Sequence, residues 1–268
     1  MRTRRHRPRL GQHFLADRVL ARRIAELALE EPSEFYVEVG PGLGALTEHL
    51  VPRVPRILLL EIDPSLVRAL RDRYGSMPHV EVREADASEF DWKSSTASVS
   101  SVTVVGNLPY RVGTRIVTDV LGQVDKLRTA VFMLQREVAE RLVAEPGSRD
   151  YGSLSVLARL RHDLRIALRV RPGAFRPPPK VHSAVVVARR LSRPRVEVPD
   201  VAAFEGLVRA LFRGRRKQLR NVASSIWQDA EAVLRRAGID PSRRAETLSL
   251  EEFARLAHLG RHARAARS

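Results

Sequence analysis

Short apolar runs alternate with helical patterns through the first 190 residues of this 268-residue chain. Seven of these runs have the length and the Val, Ile and Leu content of buried strands. They are Phe35–Val39, Arg56–Glu61, Val80–Glu84, Ser101–Val105, Thr129–Leu134, Leu164–Val170 and Ser183–Ala188. Between the second and third runs, Asp63 followed by Pro64 predicts the N-cap and first turn of a helix. The alternation predicts an α/β fold with a mostly parallel sheet covered by helices.

The pattern changes after the last of these strands. Residues 193–200 contain two prolines and are typical of a linker. Beyond them, apolar residues recur at helical spacing, namely Phe204, Leu207, Val208, Leu211 and Phe212. Ser249 and Glu252 have the spacing of a capping box at the start of a later helix. We therefore predict an α/β domain over residues 1–192 and a small all-helical domain over residues 193–268.

The net charge of +16 is concentrated at the two ends of the chain. Five arginines lie within the first nine residues, and the segment from Arg189 onward has 18 basic and nine acidic residues. Such clustering indicates binding to a polyanion, because contacts with phosphates release counterions. Charge does not distinguish RNA from DNA or anionic lipid, and a solvated basic surface is the alternative.

The composition excludes several classes of site. The chain has no cysteine, so it has no disulfide, no thiolate metal site and no thiol nucleophile. No apolar run approaches the roughly 18 residues that span a bilayer, and the basic N-terminus is not followed by the apolar stretch of a signal peptide. We expect a cytoplasmic protein without a membrane partner and without a metal.

The first four predicted strands each end in residues that can bind a ligand. These are the glycine-rich loop Gly40–Ala45, Glu61, Asp86 and the segment Gly106–Tyr110. In an open parallel sheet, ligands bind at the carboxyl ends of the strands, near the point where the strand order reverses. The loop with an acid 21 residues after Gly40 fits the ribose of either NAD or S-adenosylmethionine. A tight turn and a helix cap are the alternatives for these two features.

The segment Asn107-Leu108-Pro109-Tyr110 favours S-adenosylmethionine. Adenine N6 is a poor nucleophile because its lone pair is delocalised into the ring. The amide oxygen of Asn107 and the main-chain carbonyl of Leu108 can accept its two N–H bonds and hold the nitrogen pyramidal. Pro109 fixes φ and has no donor, and Tyr110 can stack on the base. The segment predicts methyl transfer to an adenine amine by positioning and electrostatics, without a metal or an obligatory general base. An ordinary turn is the alternative.

The sequence resembles the KsgA group of ribosomal RNA adenine dimethyltransferases, relatives of the Erm methyltransferases, almost from end to end. The matching segments are 10–15, 38–47, 61–63, 84–86, 107–110, 151–156, 175–187, 212–221 and 244–256. The glycine loop and the two acids are common to many methyltransferases, whereas the segments from Tyr151 onward are more specific. The resemblance implies a Rossmann-like, class I S-adenosylmethionine-dependent methyltransferase domain followed by a small helical RNA-binding domain.

The resemblance also implies roles for individual residues. The cofactor would contact His13, Leu15, Gly40, Gly42, Glu61, Asp86 and Asn107. Within this set, Glu61 would hold the ribose hydroxyls and Asp86 the adenine amine of the cofactor. Phe175 would close on the target base opposite Tyr110, or would instead anchor its loop as a core aromatic. Two residues depart from the family pattern: His13 stands where Asn is frequent, and His182 where Asp is usual.

A basic cluster follows the apolar face 204–212. It consists of Arg213, Arg215, Arg216, Lys217 and Arg220. The nearest acids in sequence are Glu205 and Asp229, so we expect these five cations to lack local partners and to contact phosphates of rRNA. A solvated helix surface is the alternative.

The resemblance implies dimethylation of N6 of two adjacent adenines in a hairpin loop near the 3′ end of 16S rRNA. The expected partners are the small ribosomal subunit and its rRNA, and the expected state is a monomer. An Erm-type enzyme acting on 23S rRNA is an alternative, which segments 212–221 and 244–256 disfavour. A DNA adenine methyltransferase usually has Pro or a similar residue at the position of Leu108. A non-catalytic RNA-binding assembly factor is the third alternative, although the intact Asn107 and Tyr110 argue against lost activity and leave a second role in subunit biogenesis open.

Overall fold

The computed structural model describes residues 13–198, 200–215 and 217–265, with side chains up to residue 260. It divides the chain into two compact units. Unit 1 consists of Met1–Ala139 and Arg165–Arg190, and unit 2 of Glu140–Leu164 and Leu191–Ser268. The segment Glu140–Leu164 thus groups with the C-terminal helices, whereas the sequence places it before the boundary at residue 192.

The described residues of unit 1 and its junctions contain nine strands. They are β1 (Phe14–Leu15), β2 (Phe35–Val39), β3 (Ile57–Glu61), β4 (Val80–Glu84), β5 (Val102–Asn107), β6 (Leu127–Gln135), β7 (His162–Val170), β8 (Phe175–Arg176) and β9 (Ser183–Arg190). Seven of them form one sheet in the order β4-β3-β2-β5-β6-β9-β7, and β1 pairs with β8 separately. The pairs from β4 to β6 are parallel, and β9 runs antiparallel to β6. All seven predicted strands are confirmed, with ends that differ by at most two residues.

Helices connect the strands of the sheet. They are α1 (Arg18–Leu29), α2 (Thr47–Leu50), α3 (Pro64–Tyr74), α4 (Trp92–Ser95), α5 (Gly113–Gln123) and α6 (Arg136–Val143). The predicted cap of α3 is confirmed, since the Asp63 carboxylate accepts from the Ser65 amide at 2.8 Å and Pro64 is the first helical residue. Ile24 and Ala28 of α1 pack in one core with Val105 and Val131 of the sheet. Burial of these apolar faces against the strands holds the layer together.

Unit 2 is mainly helical. Its helices are α7 (Ser153–Arg161), α8 (Val201–Arg213), α9 (Leu219–Ala223), α10 (Ala230–Arg236) and α11 (Leu250–Ala265). The predicted capping box is confirmed, since the Ser249 amide donates to Glu252 Oε2 at 2.8 Å and the Glu252 amide donates to Ser249 Oγ at 3.3 Å. Tyr151 packs in the same core as Phe204 of α8, and its hydroxyl donates to the Leu248 carbonyl at 3.1 Å. These contacts explain why the segment before β7 belongs to unit 2.

The strand order places a crevice above β2 and β5. The chain runs outward from β2 to β3 and β4, and then returns to form β5 on the other side of β2. The connections above the carboxyl ends of β2 and β5 therefore diverge, and this divergence is where open α/β sheets bind ligands. Gly40 follows β2, Glu61 ends β3, Asp86 follows β4, and Asn107 ends β5. None of the helices in the described part of the chain is long and apolar enough to cross a membrane.

Candidate active site

A cleft of about 430 Å³ lies in unit 1 at the carboxyl ends of β2 to β5. It brings together ten of the residues predicted from the sequence. They are His13, Leu15, Gly40, Gly42, Glu61, Asp86, Asn107, Leu108, Pro109 and Tyr110. These residues come from four strand ends and from the segment that pairs with β8, so the sheet is what assembles them.

The loop after β2 contains glycines whose backbone conformation disfavours any other residue. Gly40 and Gly42 have φ values of +64° and +58°, which lie in the left-handed region that side chains disfavour. A Cβ atom on Gly42 would also lie 3.1 Å from the ring of Phe14. The loop therefore presents main chain, rather than side chains, to whatever occupies the cleft.

Glu61 is held in place by backbone donors. Its Oε2 accepts from the Gly42 amide at 3.0 Å, and its Oε1 accepts from the amides of Ile62 and Asp63 at 2.9 and 3.0 Å. The side chain is buried but lines the cleft. Because a carboxylate offers about four acceptor positions, these three bonds orient it and leave capacity on Oε2 for a ligand hydroxyl.

Asp86 is oriented in a similar way. Its Oδ1 accepts from both the amide and the hydroxyl of Ser88, at 2.8 and 2.7 Å. This leaves Oδ2 to accept from an amine in the cleft. Leu43 and Ile62 also line the cleft, and both remain 57% exposed. Exposed apolar side chains beside two oriented acids suit a flat, apolar ring with polar edges, such as adenine.

Glu38, which lies in β2 just before the glycine loop, is a site residue that was not predicted from the sequence. Its side chain lines the cleft and is 1% exposed. Burial raises the pKa of its carboxyl to about 8; the hydrogen bond that Thr47 Oγ1 donates at 2.7 Å opposes this rise, and the nearby Glu61 charge adds to it. The signal in the sequence was an acid inside an otherwise apolar strand.

Asn107 has a defined amide orientation. Its Nδ2 donates to the main-chain carbonyl of His13 at 3.2 Å. A carbonyl can only accept, so the NH₂ group must face His13 and Oδ1 remains the acceptor on the other side. The Leu108 amide donates to the Met133 carbonyl at 3.1 Å, which ties the turn to β6.

The carbonyls of the turn divide into two roles. The Pro109 carbonyl accepts from the amides of Val112 and Gly113 at 3.2 and 2.8 Å and so belongs to the start of α5. The Leu108 carbonyl has no such bond among the residues that the structure describes. Asn107 Oδ1 and the Leu108 carbonyl are thus the two acceptors that the turn can offer to an amine.

Tyr110 forms the rim of the cleft. Its ring centroid lies 5.8 Å from that of His13, and its hydroxyl lies 3.2 Å from Ser183 Oγ. His13 Nδ1 lies 2.8 Å from the Pro177 carbonyl, which can only accept, so Nδ1 carries the hydrogen. His182, the other departure from the family pattern, is exposed.

Phe175 does not line the cleft. Its side chain is 1% exposed and packs in the core with Val170, and it pairs with Leu15 between β1 and β8. A buried ring cannot stack on a target base, so the structure corrects the catalytic assignment of Phe175. It supports the alternative that this residue anchors its loop.

The predicted RNA-binding cluster lies in unit 2 and is only partly as expected. Arg215 Nε forms an ion pair with Glu246 Oε2 at 3.0 Å, and the same guanidinium donates to the Arg149 carbonyl. Glu246 lies 31 positions away in sequence, so Arg215 lacks a local partner, as predicted, but is paired through the fold and is not free to contact a phosphate. Arg213, Lys217 and Arg220 are exposed and form no ion pair with another residue in the described ranges. Arg216 and the arginines before residue 10 lie outside the described residues.

Comparisons with known proteins identify the family. The family model "Ribosomal RNA adenine dimethylase" matches residues 3–260. A relative from Syntrophotalea carbinolica, named ribosomal RNA small subunit methyltransferase A, is 45% identical and covers 95% of this chain and 97% of that protein. The solved structure of the 23S rRNA methyltransferase ErmE is 29% identical, with a TM-score of 0.70 over 92% of this chain and 98% of that one. A dimethyladenosine transferase from Plasmodium falciparum has the same fold, with 22% identity and a TM-score of 0.75 over 91% of this chain and 96% of that one.

The cleft fits the cofactor of such enzymes. Two oriented acids, two exposed apolar side chains and a glycine loop match the ribose, adenine and amino-acid parts of S-adenosylmethionine. The turn at the end of β5 stands beside this site with acceptors for an amine. The chain therefore belongs to the ribosomal RNA adenine dimethylase family and is an S-adenosylmethionine-dependent methyltransferase.

Proposed function

We propose that this enzyme dimethylates N6 of two adjacent adenines in a hairpin loop near the 3′ end of 16S rRNA, within the small ribosomal subunit. The observation that carries the proposal is the orientation of Asn107, whose Oδ1 is left as an acceptor by the bond from Nδ2 to His13. The 45% identity to a small subunit methyltransferase over nearly the whole chain supports the choice of subunit. We take the enzyme to be a monomer that works in the cytoplasm, where ribosomal subunits are assembled.

The cofactor-binding residues act by orientation. Glu61 would accept from a ribose hydroxyl with the capacity left on Oε2, and Asp86 would accept from the adenine amine with Oδ2. Leu43 and Ile62 line the cleft and would pack against the adenine, and His13, Leu15, Gly40 and Gly42 would border the rest of the cofactor. S-adenosylmethionine supplies a methyl group on a sulfonium, which is an excellent leaving group. The protein therefore has to align the nucleophile and has no need to activate the donor.

The turn at the end of β5 prepares the target amine. Asn107 Oδ1 and the Leu108 carbonyl accept its two N–H bonds, which turns the nitrogen lone pair toward the methyl group. The same oxygens stabilise the positive charge that develops on N6 while the N–C bond forms and the S–C bond breaks. The amine proton is then lost to water. Tyr110 stacks on the face of the adenine, which is unpaired in a loop and needs little energy to leave its stack.

The exposed cations of unit 2 bind the rRNA backbone. Arg213, Lys217 and Arg220 contact phosphates and position the subunit without reading its sequence. Arg216 belongs to the same proposal on its sequence position alone. Arg215 is assigned a structural role, because its guanidinium is already bonded to Glu246 and to the main chain.

The proposal is tested with unmethylated ribosomal subunits. Small and large subunits are incubated separately with the purified enzyme and S-adenosylmethionine, and modified nucleosides are mapped by mass spectrometry. We expect dimethyladenosine at two adjacent positions of 16S rRNA and a much slower reaction with Asn107→Ala. Methylation of 23S rRNA alone would favour an Erm-type activity, the alternative that the structural similarity to ErmE supports. Calorimetry that detects no binding of S-adenosylmethionine would favour the non-catalytic assembly factor.

A further inference from the structure

Ser183 lies next to the active site without lining it. It is the first residue of β9, and its side chain is 1% exposed. Its Oγ lies 3.2 Å from the hydroxyl of Tyr110, and either oxygen can donate. The two residues are 73 positions apart in sequence, so only the folded sheet brings them together.

The sheet explains this meeting. Because β9 runs antiparallel to β6, the first residue of β9 lies beside the carboxyl ends of the parallel strands. Ser183 accordingly pairs with Gln135, the last residue of β6. Asn107 at the end of β5 pairs with Met133 of the same strand. Tyr110 follows three residues after Asn107, and its side chain spans the gap to β9.

The main chain at Ser183 is itself fixed. The His182 carbonyl accepts from the Arg136 amide at 3.0 Å, which joins the start of β9 to the end of β6. A hydroxyl on a buried strand is a rigid anchor, whereas Tyr110 stands in an irregular turn with a half-buried ring. The bond therefore ties the half-buried ring of Tyr110 to the buried strand.

We propose that Ser183 is a positioning residue for the target base, acting through the hydroxyl of Tyr110. The bond holds the far end of the tyrosine ring, and the His13 ring lies 5.8 Å away between centroids, so rotation of Tyr110 is restricted before the base arrives. A ring already held in its stacking orientation loses less side-chain freedom on binding, and this lowers the cost of forming the complex. The inference rests on the proposed function, in which Tyr110 stacks on the adenine.

The kinetic test is a double-mutant cycle with Ser183→Ala and Tyr110→Phe. Each single variant removes one hydroxyl of the pair. We expect each to lower kcat/KM for the small subunit by about 3- to 10-fold, the equivalent of one side chain left to be ordered on binding. The affinity for S-adenosylmethionine should stay within 2-fold of wild type. The double variant should be no less active than either single variant, because both substitutions remove the same bond. Ser183→Thr keeps the hydroxyl and should retain the activity that Ser183→Ala loses.

Ser33 provides a matched control. It is also a buried serine bonded to a distant hydroxyl, that of Thr103, at 2.8 Å. Thr103 lies near the start of β5 and pairs with Tyr36 of β2, so it is at the amino ends of the strands, away from the cleft. Ser33→Ala should lower the melting temperature as Ser183→Ala does, but it should leave kcat/KM unchanged. Equal losses of activity in both serine variants would mean that any buried hydroxyl matters, and would overturn the proposal.

A second measurement does not depend on catalysis. The chain has four tyrosines, so the ring carbons of ¹³C-labelled tyrosine can be resolved by NMR, and Tyr110→Phe assigns the signal of interest. Ser183→Ala should shift or broaden the Tyr110 resonance and leave the other three unchanged. An unchanged Tyr110 signal, or losses of activity that add in the double variant, would refute the role of Ser183. If the wild-type enzyme methylates no subunit, the proposed function fails while the NMR result still decides whether Ser183 holds Tyr110.

Discussion

The cleft of unit 1 and the basic surface of unit 2 use polar groups in opposite ways. In the cleft, Glu61 is buried under three backbone donors and the Asn107 amide has one permitted orientation. On unit 2, Arg213, Lys217 and Arg220 are exposed on long side chains. A methyl transfer requires the nucleophile to be closely aligned with the methyl group. A cationic side chain, in contrast, attracts a phosphate from any direction. The fixed groups thus suit the chemistry proposed for the cleft, and the exposed groups suit the proposed binding of rRNA phosphates.

This difference predicts two kinds of mutational response. Losses in the cleft should be steep, confined to single residues and insensitive to salt. Losses on the basic surface should be small per residue, shared among neighbours and dependent on ionic strength.

The largest effect should come from Asn107→Ala. The variant removes an oriented acceptor at the reacting nitrogen, by analogy with an oxyanion-hole donor worth about 2.7–4 kcal/mol of barrier, or roughly 10²- to 10³-fold in kcat. Single-turnover methylation of small subunits measures the loss, and circular dichroism checks the fold. A variant with wild-type turnover would remove Asn107 from the mechanism.

Glu61→Ala should act on cofactor binding before it acts on rate. A contact with the ribose is nearly the same in the ground and transition states, so we expect KM for S-adenosylmethionine to rise by about 10- to 100-fold with a smaller change in kcat. Glu84 is a matched control, since it ends β4 as the register partner of Glu61 but is exposed and does not line the cleft. Glu84→Ala should leave both constants unchanged, and a kcat defect with normal affinity in Glu61→Ala would contradict the assignment.

Glu38→Gln should change how stability depends on pH. The pKa of Glu38 in the folded state is about 8, above its ordinary 4.5, so folding favours the protonated carboxyl. The contribution of this group to the free energy of unfolding is complete below about pH 4.5 and is lost as the pH rises through about 8. Gln cannot ionise, so the variant should be more stable than wild type at pH 8.5 by at least about 1.4 kcal/mol, the equivalent of one pKa unit. Urea melts at pH 5 and pH 8.5 measure this, and parallel pH profiles for the two proteins would refute it.

The smallest effect per residue is expected on the basic surface. Replacing Arg213, Lys217 and Arg220 with Ala should weaken small-subunit binding and leave cofactor affinity unchanged. The slope of the logarithm of the binding constant against the logarithm of salt concentration should become shallower by about 0.7–0.9 per lost phosphate contact. Arg215→Ala is the comparison, because it removes an ion pair with Glu246 and should cost about 0–1 kcal/mol of stability without changing the salt dependence. If the triple variant binds subunits normally, the RNA contacts lie elsewhere, and the basic segment before residue 10 is the next candidate.

The sequence by itself determined the seven strands, the cap at Asp63, the capping box at Ser249 and the residues at four strand ends that line the cleft. These features depend on neighbours within a few positions, so their periodicity and spacing are visible along the chain. The convergence of the strand ends was also predictable, because parallel strands with helical connections must end at one edge.

Only the tertiary structure decided the features that depend on distant partners. Phe175 is buried in the core with Val170, and Arg215 is paired with Glu246, which lies 31 positions away in sequence. The raised pKa of Glu38 and the bond between Ser183 and Tyr110 likewise depend on what surrounds each group. Burial and long-range hydrogen bonds depend on residues that are distant in sequence and meet only in the folded protein, so a short segment of sequence does not reveal them.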